Sequence, residues 1–296
     1  MQMPTPCLLS LGHGYSARAL ARLILPQGWR IIATHRDPAA APALAAAGVE
    51  PVAFPPPPSA IAAASHVLSS VPPGPDGDPV LAALGPALAE RAGSIRWAGY
   101  LSSTGVYGDH AGGWVDEDTP PRPETARGRA RLAAERAWLD LGRRSGLAVH
   151  VFRVAGIYGP GRSPFDRLRA GTARRILKPG HVFGRIHVDD LAAVLAASMA
   201  RPFPGRIYNV CDDLPAPQDE VIAEAARLIG LPPPPAVPLE AAGLSAMAES
   251  FYAASRRVSN RRIREELGVS LRHPDYRSGL AAILAAETAG TAGAAS

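Results

Sequence analysis

The stretch that decides the fold is "CLLSLGHGYSARALARLI", residues 7–24. It opens as a short apolar run ending in glycine and continues as a helical pattern, with Leu20, Leu23 and Ile24 on one face. At the junction Gly12, Gly14 and Ala17 stand in the spacing G-x-G-x-x-A. Each position has a steric reason. The first glycine makes a tight turn, the second lets backbone approach a pyrophosphate, and the small third residue lets helix pack against strand. The helix N-terminus then turns its free N–H groups toward the anion. The stretch therefore reads as a dinucleotide site built from Gly12, Gly14, Tyr15, Ser16 and Ala17.

Outward from there, Pro26 and Gly28 stop the helix and "WRIIATHR" (29–36) reads as the second strand. An acid at the end of that strand would hold a ribose diol, whereas an arginine accommodates a 2′-phosphate. Here Thr34 or His35 fills the acidic position and Arg36 follows, so the expectation is NADP(H) in preference to NAD(H). Residues 65–71, 95–103 and 147–159 are further strands, and Ser70 and Val71, closing the first of these, are assigned to the cofactor. Strands alternating with helices predict an α/β fold, a Rossmann-type doubly wound parallel sheet. Past residue 160 the pattern loosens. A helix follows "RIH" with Asp189 or Asp190 as its N-cap, then come a strand at 206–213 and a capped helix at 217–230. The expected organisation is a nucleotide-binding core over 1–160, remaining sheet elements interleaved with a small C-terminal substrate-binding lobe over 161–285, and a flexible tail over 286–296.

Charge and composition exclude other classes. Lys plus Arg number 31 against 26 Asp plus Glu, but Lys178 is the one lysine and no dense basic tract exists, so nucleic-acid binding is not expected. The longest apolar stretch, at 191–200, is too short to span a bilayer. The N-terminus lacks a basic start and a long apolar core, so no signal peptide is read and a cytoplasmic location is expected. Cys7 and Cys211 lie far apart and read as buried thiols; no metal site is expected.

With "YLSSTGVYGD" (100–109), "VFRVAGIYGPGR" (151–162), "RIHVDDLAA" (185–193) and "IYNVCDD" (207–213), residues 7–280 resemble the extended short-chain dehydrogenase/reductase superfamily. Its members are NAD(P)-dependent sugar-nucleotide epimerases, dehydratases and reductases. The chain is most similar to the atypical branch labelled epimerase/dehydratase-like. The resemblance implies a catalytic hydroxyl at Ser103, with Thr104 beside it, polarising a substrate oxygen. It also implies Tyr-x-x-x-Lys at the start of the next helix, the tyrosine moving a proton and the lysine holding the nicotinamide ribose. In "TARGRARLAAERAW" (125–138) those positions are Arg127 and Arg131. A guanidinium stays charged and cannot replace the phenol. Arg131 retains the means to hold ribose hydroxyls, and Arg127 is grouped with substrate contacts. Tyr107 and Tyr158 are the substitute proton donors, and His187 is placed at the cofactor.

Residues 162–178 carry Arg162, Arg167, Arg169, Arg174, Arg175 and Lys178 against Asp166. Arg162, Arg167 and Arg175 are expected to meet a phosphate or carboxylate of a small-molecule substrate, with Arg256 and Asn260 as further contacts. The function expected is an NADP(H)-binding oxidoreductase of atypical short-chain type acting on a small anionic or nucleotide-linked carbonyl or alcohol. The alternatives are a sugar-nucleotide epimerase or dehydratase, and a non-catalytic NADP(H)-binding sensor or scaffold. A homodimer through the helix at 131–142 is a further expectation.

Overall fold

The computed structural model describes residues 5–244, 249 and 252–293. The first half runs β1 (Cys7–Leu11), α1 (Tyr15–Ile24), β2 (Arg30–His35), α2 (Ala41–Ala46), β3 (Glu50–Ala53), α3 (Pro58–Ala63) and β4 (His66–Ser69). Then follow α4 (Pro79–Glu90), β5 (Trp97–Ser103), β6 (Trp114–Val115), α5 (Ala126–Ser145), β7 (Val149–Val154) and β8 (Gly156–Tyr158). The remainder is α6 (Phe165–Arg169), β9 (Arg175–Leu177), β10 (Arg185–His187), α7 (Val188–Ala200), β11 (Ile207–Val210) and α8 (Gln218–Leu228). The chain closes with β12 (Ala236–Pro238), β13 (Arg257–Val258), α9 (Arg261–Glu265) and α10 (Tyr276–Gly293).

Seven strands form one sheet in the order β11-β7-β5-β4-β1-β2-β3. Every pairing within it is parallel. A parallel sheet needs both faces covered, which is why β1, β4 and β7 are buried at every residue. On one face α1 and α7 pack Leu20, Ile24, Leu191 and Leu195 against Trp97, Phe152 and Tyr208. On the other, α4 and α5 bring Val80, Leu88 and Trp138 against Tyr100 and Val151. Trp138 is fully buried and its indole N–H donates to Asp78 Oδ2 at 3.0 Å. Truncating a side chain of that size in a core costs about 3–5 kcal/mol, which fixes how α5 docks. The same Asp78 caps α4 through its other oxygen, accepting from the Val80 and Leu81 amides.

Residues 147–159, read as one strand, are two. The Ala155 amide still bonds Val210 in the large sheet, but the Gly156 amide bonds Gly184, so the chain leaves β7 and pairs as β8 with β10. The second lobe has its own core, in which Phe165 and Leu168 of α6 meet Val221, Ile222 and Ala225 of α8 and Leu280 and Ile283 of α10. The lobe is interleaved with the core, because β11 returns to the edge of the large sheet. Residues 286–293, read as tail, continue α10; 294–296 lie outside the described residues. The N-cap of α7 is His187 rather than an aspartate: its Nδ1 accepts from the Asp189 amide at 3.2 Å. Asp190 instead turns inward, its carboxylate taking the Arg272 and His273 amides at 2.7 and 2.9 Å.

Candidate cofactor and substrate site

Gly12 sits at φ +79°, and a Cβ there would stand 2.8 Å from Val71 Cγ2 and 3.2 Å from Ser70 Oγ. Only glycine suits both the dihedral and the space. The turn is braced from three sides. The Gly12 amide donates to Thr34 Oγ1 at 3.0 Å, the Ser70 hydroxyl donates to the Gly12 carbonyl, and the Gly14 amide bonds the same carbonyl at 3.0 Å. Thr34, Ser70 and Val71 thus support the glycine turn from behind. Gly14 is different: a Cβ built there meets nothing within 4 Å, and no side chain caps α1. Open space in front of uncapped helix N–H groups suits a pyrophosphate. Ser16 and Ala17 are buried in the helix–strand contact, while Tyr15 reaches across to donate its hydroxyl to the Pro160 carbonyl at 3.0 Å. Arg36, just past β2, is exposed, and Asp37 is occupied in accepting the Ala39 amide at 3.0 Å.

At the end of β5, Ser103 is half-buried and its Oγ accepts the Gly105 amide at 3.1 Å, which leaves the hydroxyl proton free to donate. Thr104 beside it is 8% exposed. Tyr107 is not available for chemistry, and its assignment as a proton donor is corrected. It is fully buried, donates to Asn209 Oδ1 at 2.8 Å and accepts from Arg153 at 3.0 Å. Arg153 in turn bonds both oxygens of Glu135, and the Ser102 hydroxyl donates to Glu135 Oε1 at 2.5 Å. This buried chain ties β5, α5, β7 and β11 together. Burial pushes the Tyr107 phenol up to about 12, against the opposing pull of the Arg153 charge. No sequence signal separated Tyr107 from Tyr158, because both follow strands and precede glycine.

On α5, Arg127 is exposed. Arg131 is half-buried and donates to the Leu101 carbonyl at 2.6 Å and the Tyr100 hydroxyl at 3.3 Å. It therefore holds the end of β5.

The lobe meets the core around a cavity of about 350 Å³ lined by Tyr158, Arg162, Arg167, Arg185 and Tyr276 among others. Arg162 also lies over the Tyr15 ring at 5.6 Å, so the cavity borders the glycine turn. Arg175 belongs elsewhere: it does not line the cavity and lies 3.8 Å from Asp219. Arg256 and Asn260 are likewise structural, bonding the Gly108 and Cys211 carbonyls at 2.7 and 2.9 Å. Tyr158 is 8% exposed and donates to the Asp275 carbonyl at 3.2 Å, while burial drives its pKa far above the ordinary phenol. It stands opposite His187 in the β8–β10 register, ring edge to face at 5.3 Å.

His187 is kept neutral, its pKa lowered to about 4 chiefly by burial, and its Nε2 is buried without a partner. His187, Asp189 and His273 bring one donor atom each within 4.8 Å of one another, a grouping not anticipated from the sequence. The His187 Nδ1 lone pair is already taken by the Asp189 amide. Sequence reasoning also missed Arg185 and Asp212. Arg185 is buried and stacks on Phe183 at 4.0 Å. Asp212 is 1% exposed with neither carboxyl oxygen hydrogen-bonded, and burial raises its pKa to about 8. The sequence signal for Arg185 is a charged residue on the apolar strand "GRIHV".

The sheet order and the turn after β1 define an α/β protein of the Rossmann type. The model of the NAD dependent epimerase/dehydratase family matches residues 88–211, somewhat less than half of the chain. The chain is 57% identical to a functionally unknown conserved protein from Silicibacter pomeroyi DSS, whose solved structure superposes with a TM-score of 0.91, covering 95% of this chain and 99% of that one. It is 36% identical over 148 residues to protein YeeZ of Escherichia coli strain K12, 50% of each protein, so the chain spans about half the length of that relative. A 3-diazoavenalumate denitrifying reductase of a Streptomyces species is 32% identical over 199 residues, 64% of this chain and 62% of that protein. No helix among the described residues is long and apolar enough to cross a membrane.

Proposed function

We propose that the protein is an NADP(H)-dependent oxidoreductase of atypical short-chain type, acting on a small anionic carbonyl or alcohol substrate. The observation that carries this reading is the glycine turn, where the space in front of Gly14 and the uncapped start of α1 match what a dinucleotide pyrophosphate requires. Gly12, Gly14, Tyr15, Ser16 and Ala17 form the turn that would hold it. Arg36, exposed past β2, supports a 2′-phosphate and hence NADP(H) over NAD(H). When bound, the nicotinamide supplies or accepts a hydride.

The chain's own residues account for the rest. Ser103 offers a free hydroxyl proton to the substrate oxygen, and Thr104 lies next to it. Tyr158 stays in its protonated form at the cavity wall, its hydroxyl donating to the Asp275 carbonyl. Arg162 and Arg167 attract the anionic end of the substrate. His187 holds the start of α7 and stays neutral, so it adds no positive charge beside Tyr158.

A second reading, a non-catalytic NADP(H)-binding sensor, is favoured by one observation: the proton-relay helix carries exposed Arg127 and a committed Arg131. Titration with NADPH and NADH, followed by a screen of carbonyl acids for NADPH oxidation, separates the two. Micromolar NADPH binding with turnover supports the enzyme, binding without turnover supports the sensor, and no binding of either nucleotide overturns both. We also place the protein in the cytoplasm and hold a homodimer through α5 as its oligomeric form, to be checked by sedimentation.

A further inference from the structure

We propose that the cavity between core and lobe takes a small carboxylate with an aromatic or branched apolar body, rather than a nucleotide-linked substrate. The assignment rests on the oxidoreductase reading for its biological meaning, but the binding itself does not. Three features of the cavity point the same way.

Its size comes first. A volume of about 350 Å³ lies at the lower end of small-molecule sites.

The second feature is charge. Arg162 and Arg167 line the cavity and take part in no ion pair among the described residues. Their neighbours are neutralised: Arg169 pairs with Glu287, and Arg175 faces Asp219. Deeper in, Arg185 donates to the Phe183 and Ala216 carbonyls at 3.2 and 2.8 Å and to Gln218 Oε1 at 2.9 Å. None of these partners carries charge. Asp212 is its neighbour through the backbone, its amide bonding the Arg185 carbonyl at 2.6 Å, yet the carboxyl accepts nothing from the guanidinium. Asp212 and Arg185 nonetheless favour each other's charged form, so the free cations of the cavity, among the described residues, are Arg162 and Arg167.

The third is the wall. Tyr158, Phe183 and Tyr276 present rings, and Val221 and Leu280 add aliphatic surface. The Gln218 oxygen accepts from Arg185 and the Tyr158 hydroxyl donates to the Asp275 carbonyl, so both are engaged within the protein. Arg162, Arg167 and Arg185 supply the charge of the wall, with Ser163 and Gln218 as neutral polar neighbours, and the remainder suits an apolar body.

The test uses the full chain and three probes: 3-phenylpropanoate, its uncharged amide, and UDP-glucose. Each is titrated calorimetrically, with and without saturating NADP⁺, against the parent and Arg167→Gln. Arg167 is exposed, so this variant leaves the core intact. The expected result is that the carboxylate binds at least tenfold tighter than the amide, and that Arg167→Gln removes most of that difference. Equal binding of acid and amide, or no binding of either, overturns the assignment. Tighter binding of UDP-glucose than of the acid overturns it in favour of a nucleotide-linked substrate. A separate NADPH titration keeps the two proposals apart: carboxylate binding without NADPH binding sustains the cavity assignment and sinks the oxidoreductase reading, and the reverse result does the opposite.

Discussion

Two glycines two residues apart should respond to the same substitution in opposite ways. In Gly12→Ala the new residue must hold φ +79°, which costs an L-residue about 1–2 kcal/mol. Its Cβ would lie 2.8 Å from Val71 Cγ2, so the turn must shift. That shift strains the bonds from the Gly12 amide to Thr34 and from Ser70 to the Gly12 carbonyl, worth about 1 kcal/mol each. The expected loss of stability is about 2–4 kcal/mol. In Gly14→Ala the backbone is at φ −87°, ψ −160°, which any residue adopts, and the Cβ meets nothing. The entropy gain of about 0.4–1 kcal/mol from replacing glycine is offset by the poorer capping of alanine, so stability should stay within about 0.5 kcal/mol. Yet the methyl group enters the space a pyrophosphate needs, and NADPH affinity should fall at least tenfold, about 1.4 kcal/mol. Urea unfolding reads the first quantity and nicotinamide fluorescence the second. If Gly14→Ala binds NADPH as the parent does, the pyrophosphate does not lie against Gly14 and the argument for the cofactor site fails.

Arg153→Met leaves the Glu135 carboxylate buried without its partner and should cost about 3–5 kcal/mol in urea unfolding; a loss below about 1 kcal/mol would mean the pair is hydrated. Tyr107→Phe should cost about 1–3 kcal/mol through the stranded Arg153 and Asn209 groups while leaving turnover intact, and abolished turnover in a stable variant would return Tyr107 to the chemistry. Arg36→Ser should weaken NADPH about tenfold and leave NADH unchanged; equal weakening of both would show that no 2′-phosphate is read there. The pH dependence of stability has two limbs. His13, His66, His150 and His187 are lowered from 6.5 to about 4, so the unfolded chain binds more protons and stability falls as pH drops from about 6.5 toward 4. Asp212, raised from 3.8 to about 8, keeps a proton that the unfolded chain releases, so its contribution is lost progressively as pH rises from about 4 to about 8. Asp212→Asn should remove that decline between about pH 4 and 8, and an unchanged decline would mean that Asp212 is ionised in the folded protein.

The first turn, the parallel sheet and the alternation of strand and helix were legible because each is written in local spacing. The turn needs particular backbone angles within six residues, and a strand covered on both faces must be apolar throughout, as 7–11 and 149–154 nearly are. The fates of the charged and phenolic side chains were not legible in that way. Tyr107 and Tyr158 occupy similar local contexts, but Arg153 and Asn209 close over the first, whereas the second meets the cavity. Arg162 and Arg175 read alike in one cationic run until folding set Asp219 near the second. Thr34 or His35 stands where a ribose-binding acid would be, and the approach of β1 to β2 makes Thr34 a support for Gly12. Backbone geometry is decided by neighbours in sequence. Burial, pairing and protonation are decided by partners tens of residues away, and those belong to the tertiary structure alone.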